Sequence, residues 1–263
     1  MKFISLSWFD LALAALLIVA VAGLSLRLQL GLGKQVLIAA LRTVVQLSLV
    51  GLVLKVLFEN VHILWMGLIA LVMLVAAGYE VVARQQRRFT GWWGFAMGSS
   101  SMFVSTFSVT LIALTVIIRP DPWYTPQYAI PLLGMLFGNS MNGVALGLDR
   151  LTQTAWQQRA VIEARLMLGQ TGSQAIADIR RDSIRSGLIP IINAMAAAGI
   201  VSLPGMMTGQ ILAGAAPLEA VKYQILIMFL IAAGTGFGTL AATTLAARRL
   251  FDQRHRLRLD RLK

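Results

Sequence analysis

The side chains best suited to handling a polar cargo are amide and guanidinium groups within long apolar stretches. Asn139 and Asn142 lie three residues apart in the apolar run 129–148, so they share one face of a helix. Arg42 and Gln46 are four residues apart in another apolar run. Such groups are costly inside a membrane unless they bond across helices or face water. Both places therefore suit either a transport path or polar packing contacts, and Arg42 could instead reach the membrane surface.

A second candidate for a path is a helix break at Pro204 and Gly205, in the middle of the apolar run 188–213. Proline removes a backbone donor and clashes with the carbonyl group four residues earlier. Irregular backbone at membrane depth persists only inside protein or beside water, and such breaks mark substrate sites in transporters. The alternative is a kinked helix that only packs. The predicted path residues are Arg42, Gln46, Asn139, Met141, Asn142, Ser202, Pro204, Met206 and Met207.

The long polar connection 149–187 points to a different role. Its length predicts one helix plus a short crossing helix, with Gly169 and Gly172 on either side of a break. Either Thr171 or Ser173 is placed to cap the helix that follows. The segment fits a coupling helix that docks on a separate ATPase, and from spacing alone it fits an ordinary helical loop equally well.

No cofactor, metal site or catalytic group is expected. The run from Gly31 to Lys34 resembles a phosphate-binding loop, but it lacks the first glycine at the required spacing and the Ser or Thr after the lysine. His62 and His255 are too far apart in sequence for a histidine metal site, and there is no cysteine. We expect a protein that is not an enzyme, so any ATP that drives it must bind to another chain.

The elements that position these residues are membrane spans. The chain is 57% hydrophobic and 13% charged, against about 25% charged in soluble domains. A bilayer core of about 30 Å needs roughly 20 apolar residues per helix. The predicted fold is therefore all-α: one polytopic transmembrane domain over residues 1–263, with 149–187 as a helical cytoplasmic segment. The seven predicted spans are about 8–26, 36–58, 63–83, 92–118, 129–148, 188–213 and 221–247.

The basic residues orient the chain, because cytoplasmic loops carry an excess of Lys and Arg. With the N-terminus outside, the outside segments hold only Lys2 and Arg119. The inside connections then hold nearly all the other basic residues; they are 27–35, 84–91, 149–187 and the tail from 248. The net charge of +12 thus reflects topology, and nucleic-acid binding is not expected. Cleavage after residues 20–22 as a signal peptide is an alternative, but it would invert every later loop.

Small residues predict where helices approach closely. Gly134 and Gly138 form a small-xxx-small face in the fifth span. Gly234 and Gly238 form another in the seventh, where a contact between two copies of the chain is one option. In the fourth span the small residues recur at helical spacing and predict close packing; they are Gly94, Gly98, Ser101, Ser105 and Ser108.

Several motifs together resemble a known family. They are Arg42-Thr-Val-Val-Gln46, Ile130-Pro131 with Gly138-Asn139-Ser140-Met141, Arg181-Asp182-Ser183-Ile184-Arg185, Ser202-Leu203-Pro204-Gly205-Met206-Met207 and Ala220-Val221-Lys222-Tyr223-Gln224. In order and over nearly the whole chain, they resemble the permease of the FetA–FetB type of bacterial ABC exporter, which is implicated in iron export. The run from Ser202 to Met207 is the most specific part.

This resemblance implies a cytosolic ABC ATPase partner, an assembly of two permeases with two ATPases, and multi-pass insertion in the cell inner membrane. It also favours ATPase docking by the region 163–176. Arg165 departs from importer permeases, whose cytosolic loop usually has alanine there, and the distance from Gly169 to Pro190 is much longer. The coupling residues that it implies are Glu163, Leu166, Leu168, Gly169, Thr171 and Gly172.

Two other functions stay open. A secondary transporter that needs no ATPase is disfavoured by the scarcity of acidic residues at membrane depth, where proton or sodium coupling usually needs them. A membrane scaffold or assembly protein without a transport path is the other. No residue type identifies iron, so a metal cargo would meet Met, Asn, Ser or backbone carbonyl groups.

Overall fold

The computed structural model of the protein describes residues 7–59 and 62–263, and the regular structure within them is helical. The chain divides into two units, residues 1–61 and 62–263. Lys2 and the first residues of the signal-peptide alternative lie outside the described residues, so that alternative is not tested. The all-α prediction is confirmed.

In the first unit, α1 (Trp8–Arg27) and α2 (Gly33–Glu59) pack against each other as a hairpin. Ser7 caps α1 through a capping box, in which Asp10 donates its N–H to the Ser7 hydroxyl and accepts from the Ser7 N–H. The Ser25 hydroxyl accepts from the Leu32 N–H at 3.1 Å and so ties the turn to α1. Both helices are apolar on nearly all faces, as expected for helices surrounded by lipid or by other helices.

The second unit contains eight α-helices in its described part. After α4 the chain continues as a π-helical turn over Ala113–Ile118, and a short 3₁₀ turn, Leu259–Arg261, lies near the end. The helices are α3 (Ile63–Ala83), α4 (Trp93–Ile112), α5 (Pro126–Gln157), α6 (Arg159–Met167), α7 (Gly172–Ala175), α8 (Ala177–Ala197), α9 (Gly205–Leu212) and α10 (Pro217–Arg249).

The helix α5 is the centre of this unit. It packs against α3, α4, α8 and α10, and 56% of its most apolar window is buried, the largest share among the candidate spans. Its contact with α8 and α10 is made by glycine. A methyl group added to Gly187 would lie 2.5 Å from the carbonyl oxygen of Gly143, and one added to Gly143 would lie 2.5 Å from the Thr235 methyl group. The backbones of α5 and α8 therefore touch directly.

The predicted small-residue faces are thus partly misplaced. Gly138 faces open space, and Gly134 contacts only the Met73 side chain, so the closest contact on α5 lies one to two turns later. Gly234 and Gly238 pack inside the chain, against Leu136 and Ser105, which replaces the option of a contact between copies. In α4, Gly94, Gly98, Ser101 and Ser105 are buried as predicted, whereas Ser108 is exposed.

The predicted sixth span, 188–213, is not one continuous helix. The helix α8 ends at Ala197, residues 198–204 are irregular, and α9 begins at Gly205. Gly199 has a φ of +83°, and the N–H groups of Val201 and Ser202 both donate to the Ala197 carbonyl oxygen. The predicted break is therefore present as a seven-residue interruption that ends at Pro204. Among the described residues, six helices are long and apolar enough to span a membrane.

Three connections meet at one end of this unit. Arg88 and Lys263 exchange backbone hydrogen bonds of 3.2 and 2.8 Å. The Thr152 hydroxyl donates to the Arg87 carbonyl oxygen at 2.8 Å. The prediction that 84–91, 149–187 and the tail share one side is consistent with these contacts, and which side of the membrane this is remains a prediction. Because α10 ends here, the α8–α9 pair carries the chain to the far end of α10.

We predict that Gly143→Ala destabilises the protein while Gly138→Ala does not. Both lie in α5, so both gain about 1 kcal/mol in helix propensity. At position 143 the added methyl group must displace Thr235 or the α8 backbone, and such overpacking costs about 1–3 kcal/mol.

Thermal unfolding of the detergent-solubilised variants checks this. A lower midpoint is expected for Gly143→Ala and an unchanged or higher one for Gly138→Ala. Equal midpoints would show that α5 and α8 do not touch at Gly143.

Candidate functional site

The region 163–176 contains an exposed apolar turn at 167–169, which we call the tip. Met167 and Leu168, at the end of α6, are each 83% exposed. Gly169 follows with a φ of +86°, which L residues rarely adopt, and a side chain there would meet open space. This left-handed residue reverses the chain and leaves the two apolar side chains at the outermost point of the turn.

The base of this tip is fixed to the rest of the unit. Ile162 is fully buried and Leu166 packs against the core. Arg165 donates to the Ala175 carbonyl oxygen at 3.2 Å and to the Asp178 carboxylate at 3.1 Å, so it links α6 to α7 and α8. The residue that departs from the importer pattern thus has a structural role here.

The helix α7 is fixed at its own start. Thr171 caps it, as predicted, through a capping box in which the Thr171 N–H donates to Gln174 Oε1 at 2.9 Å. Gly172 lies under the ring of Phe251, and an added methyl group would come within 2.6 Å of that ring. The Gly172 N–H donates to His255 Nδ1 at 3.4 Å, so the tail after α10 holds α7 from the other side.

The predicted coupling residues therefore divide into two kinds. Leu168 and Gly169 form the exposed tip, while Leu166, Thr171 and Gly172 hold it in place. Glu163 is half-exposed and pairs with Arg159 at 2.8 Å on α6, one turn earlier.

The two predicted asparagines on α5 do different things. The Asn139 amide donates to the Met135 carbonyl oxygen at 2.8 Å within its own helix. Asn142 accepts a hydrogen bond from Arg84, at the end of α3. A cavity lies beside this pair, and Asp149 and Pro190 also line it. It is an opening between α3, α5 and α8, on the same end of the unit as the tip. We call it the polar opening because Arg84, Asn142 and Asp149 line it, although the rest of its wall is apolar.

Asp149 is already held by other groups in this cavity. Its carboxylate accepts from the Gln86 N–H at 2.8 Å and from the Gln153 amide at 2.7 Å. Arg84 also lies 3.8 Å from Glu80. The opening therefore presents one cation and one carboxylate, each with partners, in a form that suits a polar or complexed solute better than a tightly bound bare ion.

The predicted path residues at the break do not share one surface. Ser202 is exposed and its carbonyl oxygen accepts from the Gly199 N–H at 2.9 Å. Pro204 caps α9, Met206 is half-buried, and Met207 is buried. The helix α9, which carries Met206 and Met207, packs against α10.

The remaining predicted path residues lie elsewhere. Met141 is half-buried and packs against the core of the second unit. Arg42 and Gln46 are on exposed faces of α2, in the first unit.

A group of buried hydroxyls was not identified from the sequence. We call it the hydroxyl seam, and it lies where α10 packs against α4 and α5. Thr106 donates to Ser140 at 3.5 Å, and Thr243 donates to the Thr239 carbonyl oxygen at 2.7 Å. The seam residues are Ser101, Ser105, Thr106, Ser140, Thr235, Thr239 and Thr243. The signal that could have found it is the four-residue spacing of threonine along α10.

The seam contains oxygens that lack a partner. Among the described residues, the hydroxyl oxygens of Ser101, Thr235 and Thr239 are buried and make no hydrogen bond. An unpaired buried hydroxyl costs about 1–3 kcal/mol. A polar species that separates these helices would therefore meet hydroxyl groups that have no other hydrogen-bond partner. In the same part of the chain no three His, Cys, Asp or Glu side chains converge, so the seam offers hydroxyl donors and acceptors instead of a charged cage.

We predict that Gly172→Ala loosens the tail. The added methyl group would overlap the Phe251 ring, whereas Gly209→Ala, in α9, adds a methyl group in open space and is the matched control. Overpacking costs about 1–3 kcal/mol. Trypsin should therefore cut the arginine-rich segment 254–261 faster in Gly172→Ala than in the native protein or the control. Equal cleavage rates would show that the contact between Gly172 and Phe251 does not hold the tail in place.

Comparison with known proteins agrees with this architecture. The family model described as "Uncharacterised protein family (UPF0014)" matches residues 8–251. The chain is 41% identical over 259 residues to the UPF0014 membrane protein slr1647 of Synechocystis, covering 97% of each. It is 33% identical over 263 residues to the probable iron export permease protein FetB of Escherichia coli, covering 97% of this chain and 96% of that one.

A plant relative and the solved structures complete the comparison. The chain is 37% identical over 233 residues to the UPF0014 membrane protein STAR2 of Oryza sativa, covering 88% of this chain and 80% of that one. No solved structure matches. The family model and these relatives extend over both units and the tip, so this chain belongs to the UPF0014 family of membrane proteins.

Proposed function

We propose that this chain is the membrane-spanning permease subunit of an ABC transporter, and that a separate cytosolic ATPase drives it to export a metal, with iron as the first candidate. The observation that carries the proposal is the exposed tip at Met167 and Leu168 on a firmly held base. The name of the Escherichia coli relative, a probable iron export permease, supports the direction and the cargo.

The tip has the chemistry of a docking element. Two large apolar side chains are exposed in the connection 149–187, next to Arg165 and Gln170. Burying a Leu or Met side chain contributes about 1.5–3 kcal/mol, so a complementary groove on another protein would bind the tip well. Because Arg165 and Phe251 hold α6 and α7 from two sides, a push on the tip would move the helices as a body.

The motion has a direct route into the membrane. One residue separates α7 from α8, and α8 continues past Pro190 to the break at 198–204. On the way α8 touches α5 at Gly143 and α10 at Thr239, next to both the polar opening and the hydroxyl seam. A shift of α8 would therefore alter the two polar features that a solute could use. ATP binding to the partner needs only to favour the shifted position of α8 over its present position.

In this proposal the path includes Asn142 at the opening and the hydroxyl seam between α4, α5 and α10. The broken α8–α9 pair is the sixth of seven crossings along the chain, and residues 198–204 are its movable part. The other proposed path residues in the second unit are Asn139, Ser202, Pro204, Met206 and Met207. In the first unit, Arg42 and Gln46 of α2 are the proposed path residues. The chain works as a dimer with two ATPases in the cell inner membrane, with its N-terminus outside, and performs no catalysis itself.

We predict that the double variant Met167→Ser/Leu168→Ser separates the permease from its ATPase without unfolding it. Both side chains are exposed, so the fold loses nothing, whereas the docked tip loses its apolar contact. Affinity for the ATPase should fall at least about tenfold, since each docked side chain contributes about 1.5 kcal/mol or more. Leu218→Ser is the matched control: Leu218 is 76% exposed and lies at the opposite end of α10.

The measurement is ATPase co-purification, followed by ATP hydrolysis and iron movement in proteoliposomes that contain both chains. Wild type and Leu218→Ser should retain the ATPase and show hydrolysis stimulated by iron. If the tip variant also retains full binding and export, the tip is not the coupling element. Failure of any ABC ATPase to bind the native chain would instead favour a scaffold or a secondary transporter.

A further inference from the structure

The tail after α10 is a folded element. Leu250, Leu259 and Leu262 are buried, and the Arg258 N–H donates to the Leu250 carbonyl oxygen at 2.8 Å. Phe251 and Leu257 form an antiparallel bridge, and Leu262 forms another with Phe89 in the 84–92 connection. A purely solvated basic tail would have no such core, so this segment holds its arginines in fixed positions.

Four arginines of the tail and the last residue of α10 line one concave surface. They are Arg249, Arg254, Arg256, Arg258 and Arg261, and Asp252 and Asp260 also belong to this segment. Arg256 pairs with Asp252 at 2.7 Å, and Arg258 pairs with Asp260 at 2.8 Å. Within residues 7–59 and 62–263, no carboxylate forms an ion pair with Arg249, Arg254 or Arg261. We call these three the open arginines.

No ion pair among the described residues neutralises the open arginines. Arg261 is fixed by donating to the carbonyl oxygens of Arg249 and Phe251, at 2.7 and 3.3 Å. Desolvation, and then the positive charges of Arg249 and Arg258, lower the pKa of Arg261 by more than the charges of Asp260 and Asp252 raise it. The fold therefore holds guanidinium groups close enough to repel each other, and an anion between them would remove that repulsion.

The surface lies at the level expected for lipid headgroups. The guanidinium of Arg249 lies 4.2 Å from the centre of the Trp93 ring, and the candidate span Pro217–Arg249 ends at this residue. Trp92 and Trp93 are 71% and 47% exposed. Tryptophan is enriched where the hydrocarbon core meets the headgroups, so the open arginines stand beside the phosphate layer.

We infer that this surface is a binding site for the phosphate group of an anionic phospholipid. Arginine forms bidentate hydrogen bonds with phosphate oxygens and carries its charge at all working pH values. Basic pockets at the cytoplasmic ends of membrane helices bind anionic headgroups by this chemistry. A soluble phosphate has the same oxygens, and the experiment below separates the two. The inference does not depend on any ATPase or on metal transport.

A bound lipid would also stabilise the base of the tip. The tail that forms the site contacts Gly172 through Phe251 and His255. It pairs with the 84–92 connection through Arg88 and Lys263. A headgroup at the open arginines would therefore hold α10, the tail and α7 together.

The test compares lipid binding by the full chain and by the variant Arg249→Gln/Arg254→Gln in neutral detergent. The probes are phosphatidylglycerol and phosphatidylcholine, with bound lipid counted by native mass spectrometry. Each basic residue near an anionic surface contributes about fivefold to binding, so the variant should bind phosphatidylglycerol about 30-fold more weakly. Phosphatidylcholine binding should not change, and the preference of the native chain should weaken as salt rises.

The control Arg150→Gln/Arg181→Gln removes the same charge from exposed positions on α5 and α8 and should keep the native preference. Arg254→Gln alone removes a side chain on the exposed surface of the tail and should lose about fivefold even if the double variant fails to fold. Equal phosphatidylglycerol binding by native chain and site variants overturns the inference, as does equal loss in the control. Binding of inorganic phosphate with no preference for phosphatidylglycerol would overturn the lipid assignment in favour of a soluble phosphate.

Discussion

The contact between the backbones of α5 and α8 constrains the rest of the second unit. With no side chain at Gly143 or Gly187, the two helices approach until one carbonyl group fills the space where a methyl group would stand. Helix association inside a membrane relies on this kind of close packing, because lipid is as apolar as the side chains that would otherwise drive it. The contact sets the position of α8, and α8 in turn joins α6 and α7 to the break.

Two consequences follow from that position. First, Thr235 and Thr239 of α10 are pressed against the same glycines, so their hydroxyls face neighbouring helices instead of lipid. Second, α6 and α7 are joined to a helix whose position against α5 is set by this backbone contact. The hydroxyl seam and the base of the tip are thus both connected to one glycine contact, and a change in that contact would reach both.

The sequence predicts the features of this fold that depend on local pattern or on charge. Six of the seven spans follow from length and hydropathy, the Thr171 cap follows from its neighbours, and the break follows from Pro204 and Gly205. The grouping of 84–91, 149–187 and the tail follows from their basic residues. Each of these depends either on a conformational preference of a few neighbouring residues or on the preference of basic residues for one side of the membrane.

The features that the sequence did not predict depend on partners distant in the chain. Nothing near Gly138 distinguishes it from Gly143; only the arrival of α8 decides which glycine is in contact. The tail reads as a solvated basic run until Leu262 is seen bridged to Phe89 and Leu259 is seen to be buried. In the same way, the role of Arg165 emerges only when Asp178 and Ala175 are beside it.

The unpaired hydroxyls bear on how such a protein could change state. Buried polar groups without partners make the packed arrangement of α4, α5 and α10 less stable than a fully apolar seam would. Water or a polar solute between these helices would pair those groups, so part of the cost of separating the helices would be recovered as they open. Two arrangements that differ by a few kcal/mol can be exchanged by a modest difference in binding energy elsewhere. A seam of this composition is therefore better suited to repeated opening than to permanent closure.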